Sequence, residues 1–307
     1  MRGPAYNAPT VPEAPLFTLA HLSDPHLGPL PKASPGELAS KRVLGWLNWH
    51  RSRGRRHGAD ALNALVADLA AEKVDHIAVT GDLINISLAA EFAPAAAWLA
   101  SLGAPTDVSV GPGNHDVYVA RTTGLLQTHW GAYMAGDDGT PGFPFLRRRG
   151  EVALIGVSTA LPTAPFLATG RLGTAQRDAL ETLLDETGRA GLCRVVLIHH
   201  PLTGDFDFQH RLSDARAVRA TLARVGAELV LHGHIHVPSL VRIAGPRGEI
   251  PVVGVPSASA AATTAHPAGW NKFTNARGTP WRIVLERRAL ARDGHAVESR
   301  PPRVLAG

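Results

Sequence analysis

Thiol chemistry is almost closed to this chain. Its 307 residues include one cysteine, Cys193, which excludes an intramolecular disulfide and a thiolate metal cluster and fits a reducing compartment. No long hydrophobic run is present either. The most membrane-like stretch, LAAEFAPAAAWLASLG, is broken by Glu91 and Pro94 and is too short to span a bilayer. The opening MRGPAYNAPTVPEAP lacks an apolar h-region, so residues 1–15 read as a loose tail and not as a secretion signal. A cytoplasmic protein is the expectation. Internal repeats and low-complexity tracts are missing as well.

Acidic residues are absent from one stretch. Between Lys41 and His57 lie six Lys/Arg and no Asp or Glu, leaving −1 on the rest of a chain of net charge +5. Basicity this local excludes a whole-surface nucleic-acid binder, and no specific nucleic-acid binding is expected. As a helix, Val43, Leu44, Trp46, Leu47 and Trp49 form a broad apolar arc. Arg51, Arg53, Arg55 and Arg56 gather at its carboxyl end, where the helix dipole favours them. Two readings stay open: a helix packed on the core with a solvated basic end, or an anion-facing element beside a cleft that touches an acidic lipid surface. Trp46 and Trp49 read as packing residues, not base-stacking platforms.

What is present is an alternation of short β-rich runs with amphipathic stretches. LFTLAHL, DHIAVTG, DVSVGPG, EVALIGVST, RVVLIHH and AELVLHG read as strands. ALNALVADLAAE, with Leu62, Leu65, Val66 and Leu69 on one face and Asp60 as N-cap, reads as a helix. So do AAEFAPAAAWLASL, TAQRDALETLLDET and SDARAVRATLARVG. After Pro238 come hairpin-like strands, SLVRIAG, IPVVGV and PWRIVLER. The pattern implies a layered α/β fold with a second or mixed sheet. Residues 16–300 form one domain on this reading, with a basic insertion near 29–57, a Gly-rich cap near 117–150 and a carboxyl-terminal tail at 301–307. FLRRRG at 146–150 reads as a solvated strand end or turn.

Polar residues cluster where these strands end. HLSDPHLG supplies Asp24 and His26, TGDLIN supplies Asp82, and GPGNHDVY supplies Asn114 and His115. IHHP supplies His199 and His200, and GHIH supplies His234 and His236. Alone, the last pair could simply share a solvated strand face. Together, five loops at the carboxyl ends of strands in an α/β sheet can converge on one point. Carboxylate, imidazole and amide oxygen suit a borderline divalent metal. The set exceeds what one ion needs, and two ions sharing a bridging carboxylate would use it, an arrangement suited to displacement at phosphorus.

D-x-H, G-D, G-N-H-D, H-x-P and G-H-x-H, in that order from Asp24 to His236, resemble the signature of calcineurin-like metallophosphoesterases. The resemblance implies a four-layer α-β-β-α sandwich with two mixed sheets face to face. It implies one divalent ion (manganese, iron, zinc or cobalt) on Asp24, His26, Asp82 and His236. A second would sit on Asp82, Asn114, His199 and His234, with Asp82 bridging. His199 is the implied ligand because it lies two residues before Pro201, leaving His200 as its support. His115 matches the residue that faces the scissile phosphate, stabilising or protonating the departing oxygen, and Asp116 would orient His115 or a ligand.

Departures from the family's branches narrow the expectation. GDLINIS and GPGNHDV lack the D-R-G and R-G-N-H-E of Ser/Thr protein phosphatases. Asn85 stands where purple acid phosphatases place tyrosine. What remains looks like the bacterial phosphodiesterases, with a small phosphodiester or pyrophosphate as substrate. The alternatives are a pyrophosphohydrolase acting on a nucleotide-linked lipid precursor of the UDP-diacylglucosamine type and a non-catalytic scaffold that keeps the fold.

Overall fold

The structure, a computed structural model, describes residues 17–204 and 208–306. The expected tail at 1–15 lies outside them. Among the described residues the strands are β1 (Phe17–Leu22), β2 (His76–Val79), β3 (Val108–Val110), β4 (Phe145–Arg149), β5 (Val152–Gly156), β6 (Cys193–Leu197), β7 (Leu229–His232), β8 (Leu240–Gly245), β9 (Gly248–Gly254), β10 (Gly269–Ala276), β11 (Arg282–Leu290), β12 (Val297–Ser299) and β13 (Arg303–Ala306).

They form two mixed sheets. One runs β12-β11-β10-β1-β2-β3 with β13 on β11, and the other β4-β5-β6-β7-β9-β8. The β1-β2-β3 segment is parallel, as are β5-β6-β7-β9. β1 shows why the layers stack as they do. Phe17 and Leu19 join an apolar cluster with Leu154, Leu197, Leu231 and Phe273 between the sheets. Ala20 and Leu22 face the other way, against Leu65, Phe92 and Leu99 of the helices Ala59–Ala71 and Ala89–Leu102. Alternate residues thus meet two apolar surfaces, as expected of a strand covered on both faces. On the second sheet's outer face, Val196 and Val230 pack with Leu180, Leu184 and Leu222 of the helices Thr174–Arg189 and Ala215–Val225. The result is the four-layer sandwich. Among the described residues no helix is long and apolar enough to cross a membrane.

Four local expectations need correction. Gly58, not Asp60, is the N-cap of the helix Ala59–Ala71; Asp60 lies in its first turn, where its charge still favours the helix dipole. Residues 117–150 are not a cap laid over the surface. The helix Thr123–Trp130 buries Leu126 and Trp130, and Trp130 stacks on Phe92 at 5.2 Å between ring centroids. FLRRRG is a strand end running into a turn, but not solvated throughout, because Phe145–Arg149 pairs with β5 and Arg147 is buried. The Arg147 guanidinium donates to the carbonyls of Pro105, Val108, Ala132 and Ala135, which satisfies a charge that would otherwise be costly to bury. Finally, the expected tail at 301–307 contains β13, which pairs with β11 and sends Leu305 into the core between the sheets.

Candidate functional site

The loops leaving β1, β2, β3, β6 and β7 meet and bring all seven expected ligands together. On one side His236 Nε2 lies 3.2 Å from Asp24 Oδ1 and 3.2 Å from His26 Nε2. His26 Nε2 is 3.9 Å from Asp24 Oδ1 and 4.0 Å from Asp82 Oδ2. On the other, His199 Nε2 is 3.4 Å from the same Asp82 Oδ2 and 3.2 Å from Asn114 Oδ1, which is 2.9 Å from His234 Nδ1. Asp82 Oδ2 therefore faces both groups.

Backbone carbonyls fix which imidazole nitrogen faces inward. His199 Nδ1 is 2.6 Å from Thr80 O, His26 Nδ1 3.3 Å from Ile84 O, and His234 Nε2 3.0 Å from His210 O. A carbonyl only accepts, so those nitrogens carry protons and the inward ones are left to ligate an ion, which in His199 would displace the proton that Asp82 holds on Nε2. His200 has neither nitrogen to spare. Nδ1 bonds Thr159 Oγ1 at 2.7 Å and Nε2 lies 3.0 Å from Ala168 O, while its ring packs 4.4 Å from that of His234. It supports the site without entering it.

The backbone here is unusual. Asp24 (φ 53°), His26 (41°), Asp82 (54°), His234 (71°) and His236 (55°) are all in the left-handed region, five of the eight such non-glycine residues among those described. This conformation costs energy for a residue with a Cβ, and such outliers cluster at functional sites. Gly81 lets the loops approach, since a Cβ there would fall 2.5 Å from Gly113 N. Asp116 holds the arrangement. Its Oδ2 accepts from Asp82 N and Gly113 N, both at 2.8 Å, and its Oδ1 from Leu83 N and Ile84 N at 2.8 and 3.1 Å. It thus orients the loop of Asp82 and not His115. The His115 ring is held instead by the Asn85 carbonyl at Nδ1 and by stacking on Tyr118.

Burial alone would raise the pKa of Asp24, but the imidazoles of His236 and His199 hold its carboxylate well below the usual range. Burial alone would lower that of His199, yet the adjoining Asp82 raises it to about 9. Burial and then the Arg53 guanidinium lower His115 to about 4. His115 is therefore neutral at physiological pH, with its Nε2 lone pair turned inward. Asp24 Oδ1 is buried and receives no hydrogen bond among the described residues. A buried anionic oxygen without a donor is costly, and a cation among these donors removes that cost. Metal–ligand bonds of about 2.0–2.2 Å place adjacent ligand atoms roughly 3–3.5 Å apart. This holds for His236 with Asp24 and His26 and for His199 with Asp82 and Asn114, while His26 lies slightly farther from the two carboxylates. The residues fit a divalent pair.

The basic segment divides. Arg51, Arg55 and Arg56 are exposed, whereas Arg53 turns inward, donating to His26 Nε2 at 2.7 Å and to His115 Nε2 at 2.8 Å. The apolar arc is not a fully packed core helix, since Leu44, Trp46, Leu47 and Trp49 are only half-buried and Val43 is exposed. His57 lies outside the five motifs yet joins the site. Its ring lies 4.8 Å from that of His26, and its Nδ1 meets Ser259 Oγ at 2.8 Å. With His26 and His236 it offers nitrogens within 4.8 Å of one another. No local pattern signals it, because His57 is extended just past the helix Gly54–Arg56 and pairs with Ala260, far along the chain.

Comparison with known proteins agrees with this geometry. No curated protein sequence matches the chain. Among solved structures it resembles a dimetal phosphatase from Danio rerio at 13% identity and a TM-score of 0.58, covering 93% of this chain and 98% of that one. It also resembles a purple acid phosphatase from yellow lupin seeds at 15% identity and a TM-score of 0.55, covering 92% of this chain but 53% of the lupin protein. These likenesses establish the fold. The family model described as calcineurin-like phosphoesterase matches residues 17–238, including all five loops. The chain belongs to the calcineurin-like phosphoesterase family.

Proposed function

We propose that this chain hydrolyses phosphodiesters with two divalent ions, one on Asp24, His26, Asp82 and His236 and one on Asp82, Asn114, His199 and His234. The observation that carries the reading is Asp82 Oδ2 facing both groups, at 4.0 Å from His26 Nε2 and 3.4 Å from His199 Nε2. The mixed imidazole, carboxylate and amide donors suit manganese, iron, zinc or cobalt. Such a pair, when bound, supplies Lewis acidity toward phosphoryl oxygens and lowers the pKa of bound water.

The protein's own groups set the geometry. Asp116 fixes the loop that presents Asp82, and the carbonyls of Thr80, Ile84 and His210 fix the imidazoles. His115 stands beside the cluster with Nε2 accepting from Arg53; once Arg53 turns to the substrate, that nitrogen is left to stabilise or protonate the departing oxygen. Beside His236 and Arg53 a cleft of about 380 Å³ is lined also by Asn48, Ser52, Val237 and Ala260. It gives a second ester arm a place to lie, which favours a diester over a monoester.

The test loads the purified protein with manganese and combines elemental analysis with a panel of mono-, di- and pyrophosphate esters. Two ions per chain, loss of both in Asp82→Ala, loss mainly of one in His26→Ala, and a preference for diesters are expected. At most one ion at saturation would overturn the two-ion assignment. A preference for monoesters would overturn the diester reading.

A further inference from the structure

Arg53 reaches the centre by an uncommon route. The helix Arg42–Asn48 runs into a π-helical turn, Trp49–Arg53, before a last short turn at Gly54–Arg56. π-turns are rare and recur at functional sites because the wider turn re-aims a side chain. Here its last residue points inward while its neighbours Arg51 and Arg55 stay in solvent. Two anchors hold the segment over the site. Arg42 is buried and donates to the carbonyls of Ile86 and Ser87. Lys41 Nζ bonds Thr163 Oγ1 at 2.9 Å and lies 4.2 Å from the centre of the Tyr118 ring, which itself stacks on His115.

The two Arg53 contacts are chemically revealing. Its guanidinium donates to His26 Nε2 and His115 Nε2. A neutral imidazole nitrogen has one lone pair, so His26 Nε2 cannot serve an ion and Arg53 together. Once His26 holds an ion, the same N–H donors need another acceptor at the same place. A guanidinium fork matches the oxygens of a phosphoryl group, which it binds by charge-assisted hydrogen bonds. Arg53 also lines the cleft beside His236, together with Arg56 and His57, and no carboxylate is among the residues lining that cleft.

Resting on the two-ion reading above, we propose that Arg53 is the residue of this chain that clamps the non-bridging oxygens of the substrate's phosphoryl group, and that the basic segment exists to deliver it. Arg51 and Arg55, which stay in solvent, are dispensable for that contact.

The test is titration calorimetry of the manganese-loaded, full-length protein with inorganic phosphate, alongside elemental analysis and a manganese titration. In Arg53→Gln the dissociation constant for phosphate should rise at least tenfold, two ions should remain, and manganese affinity should be equal or higher because a competitor for His26 is gone. Arg53→Lys, which keeps the charge but not the fork, should fall between parent and Arg53→Gln. The double variant Arg51→Gln/Arg55→Gln should bind phosphate as the parent does. Phosphate affinity within twofold of the parent in Arg53→Gln, failure of the parent itself to bind phosphate, or loss of an ion in both Arg53 variants would overturn the assignment. A parent that binds two ions and phosphate through Arg53 yet cleaves no ester would sink the proposed activity and leave the clamp standing.

Discussion

Asp116 offers the sharpest test of how the site is built. Its two carboxylate oxygens accept four backbone N–H groups, from Asp82, Leu83, Ile84 and Gly113. Asp116→Asn keeps the shape but leaves one oxygen, so two of the four donors would face an NH2 group. A buried donor left unsatisfied costs about 1–3 kcal/mol, so two cost roughly 2–6 kcal/mol. That is a large part of the roughly 5–15 kcal/mol by which a domain is stable. The damage falls on the loop that holds Asp82 at φ 54°, so ion binding should weaken along with the fold. Urea unfolding at neutral pH and manganese stoichiometry measure the two effects. Asp116→Ala, which leaves all four donors without a carboxylate, should be at least as severe. An Asp116→Asn protein whose stability falls by less than about 1 kcal/mol, with both ions bound, would refute the reasoning.

Other outcomes follow from the same geometry. His115→Ala should lower kcat by an amount equivalent to roughly 2–4 kcal/mol with normal metal content by elemental analysis, and loss of an ion would show that His115 is a ligand. Arg147→Met should cost at least about 2 kcal/mol in thermal or urea unfolding, because four inward-facing carbonyls lose their donor. His21, His76 and His232 are buried, chiefly by which their pKa values are lowered to about 3, 3 and 4, against 6.5 for an ordinary histidine. The unfolded chain therefore takes up protons first as pH falls below 6.5. Each of the three should cost up to about 1.4 kcal/mol per pH unit until its folded value is reached. Between pH 7 and 5 the urea midpoint should fall steeply, and a flat profile would show that these histidines are not held neutral. Arg51→Gln and Arg55→Gln should each change stability by no more than about 0.5 kcal/mol, as ordinary surface substitutions do.

The site was legible in the sequence because its ligands follow apolar strands in short loops, where chemistry and position coincide. Asp24, Asp82 and His234 could be placed without coordinates. The fold was legible where strands are mostly apolar, as in β5, β6 and β7. β10 was not, because Asn271, Lys272 and Asn275 interrupt its apolar pattern; yet it pairs with both β1 and β11. Asn275 finds a buried partner in Cys193 Sγ, a contact across 82 residues that local pattern cannot reveal. β4 and β13 were hidden for a related reason. Arg147 reads as a surface residue until its four carbonyl acceptors converge from other segments. Arg303–Ala306 is too short to declare itself without β11 beside it. The inward turn of Arg53 depends on a π-helical register that periodicity at 3.6 residues per turn does not describe.

The left-handed backbone at five candidate ligands has an evolutionary consequence. Asn, Asp and His are the non-glycine residues enriched in that conformation, and they are also oxygen and nitrogen donors to metals. At Asp24, His26, Asp82, His234 and His236 two independent filters therefore admit nearly the same small alphabet. A descendant that abandoned phosphoester chemistry would not be free to fill these positions with valine or isoleucine, whose branched side chains are true outliers there. Its easiest exits are glycine and asparagine. A lineage drifting away from catalysis should thus carry a trail of small or amide residues at these five positions while the loops keep their shape.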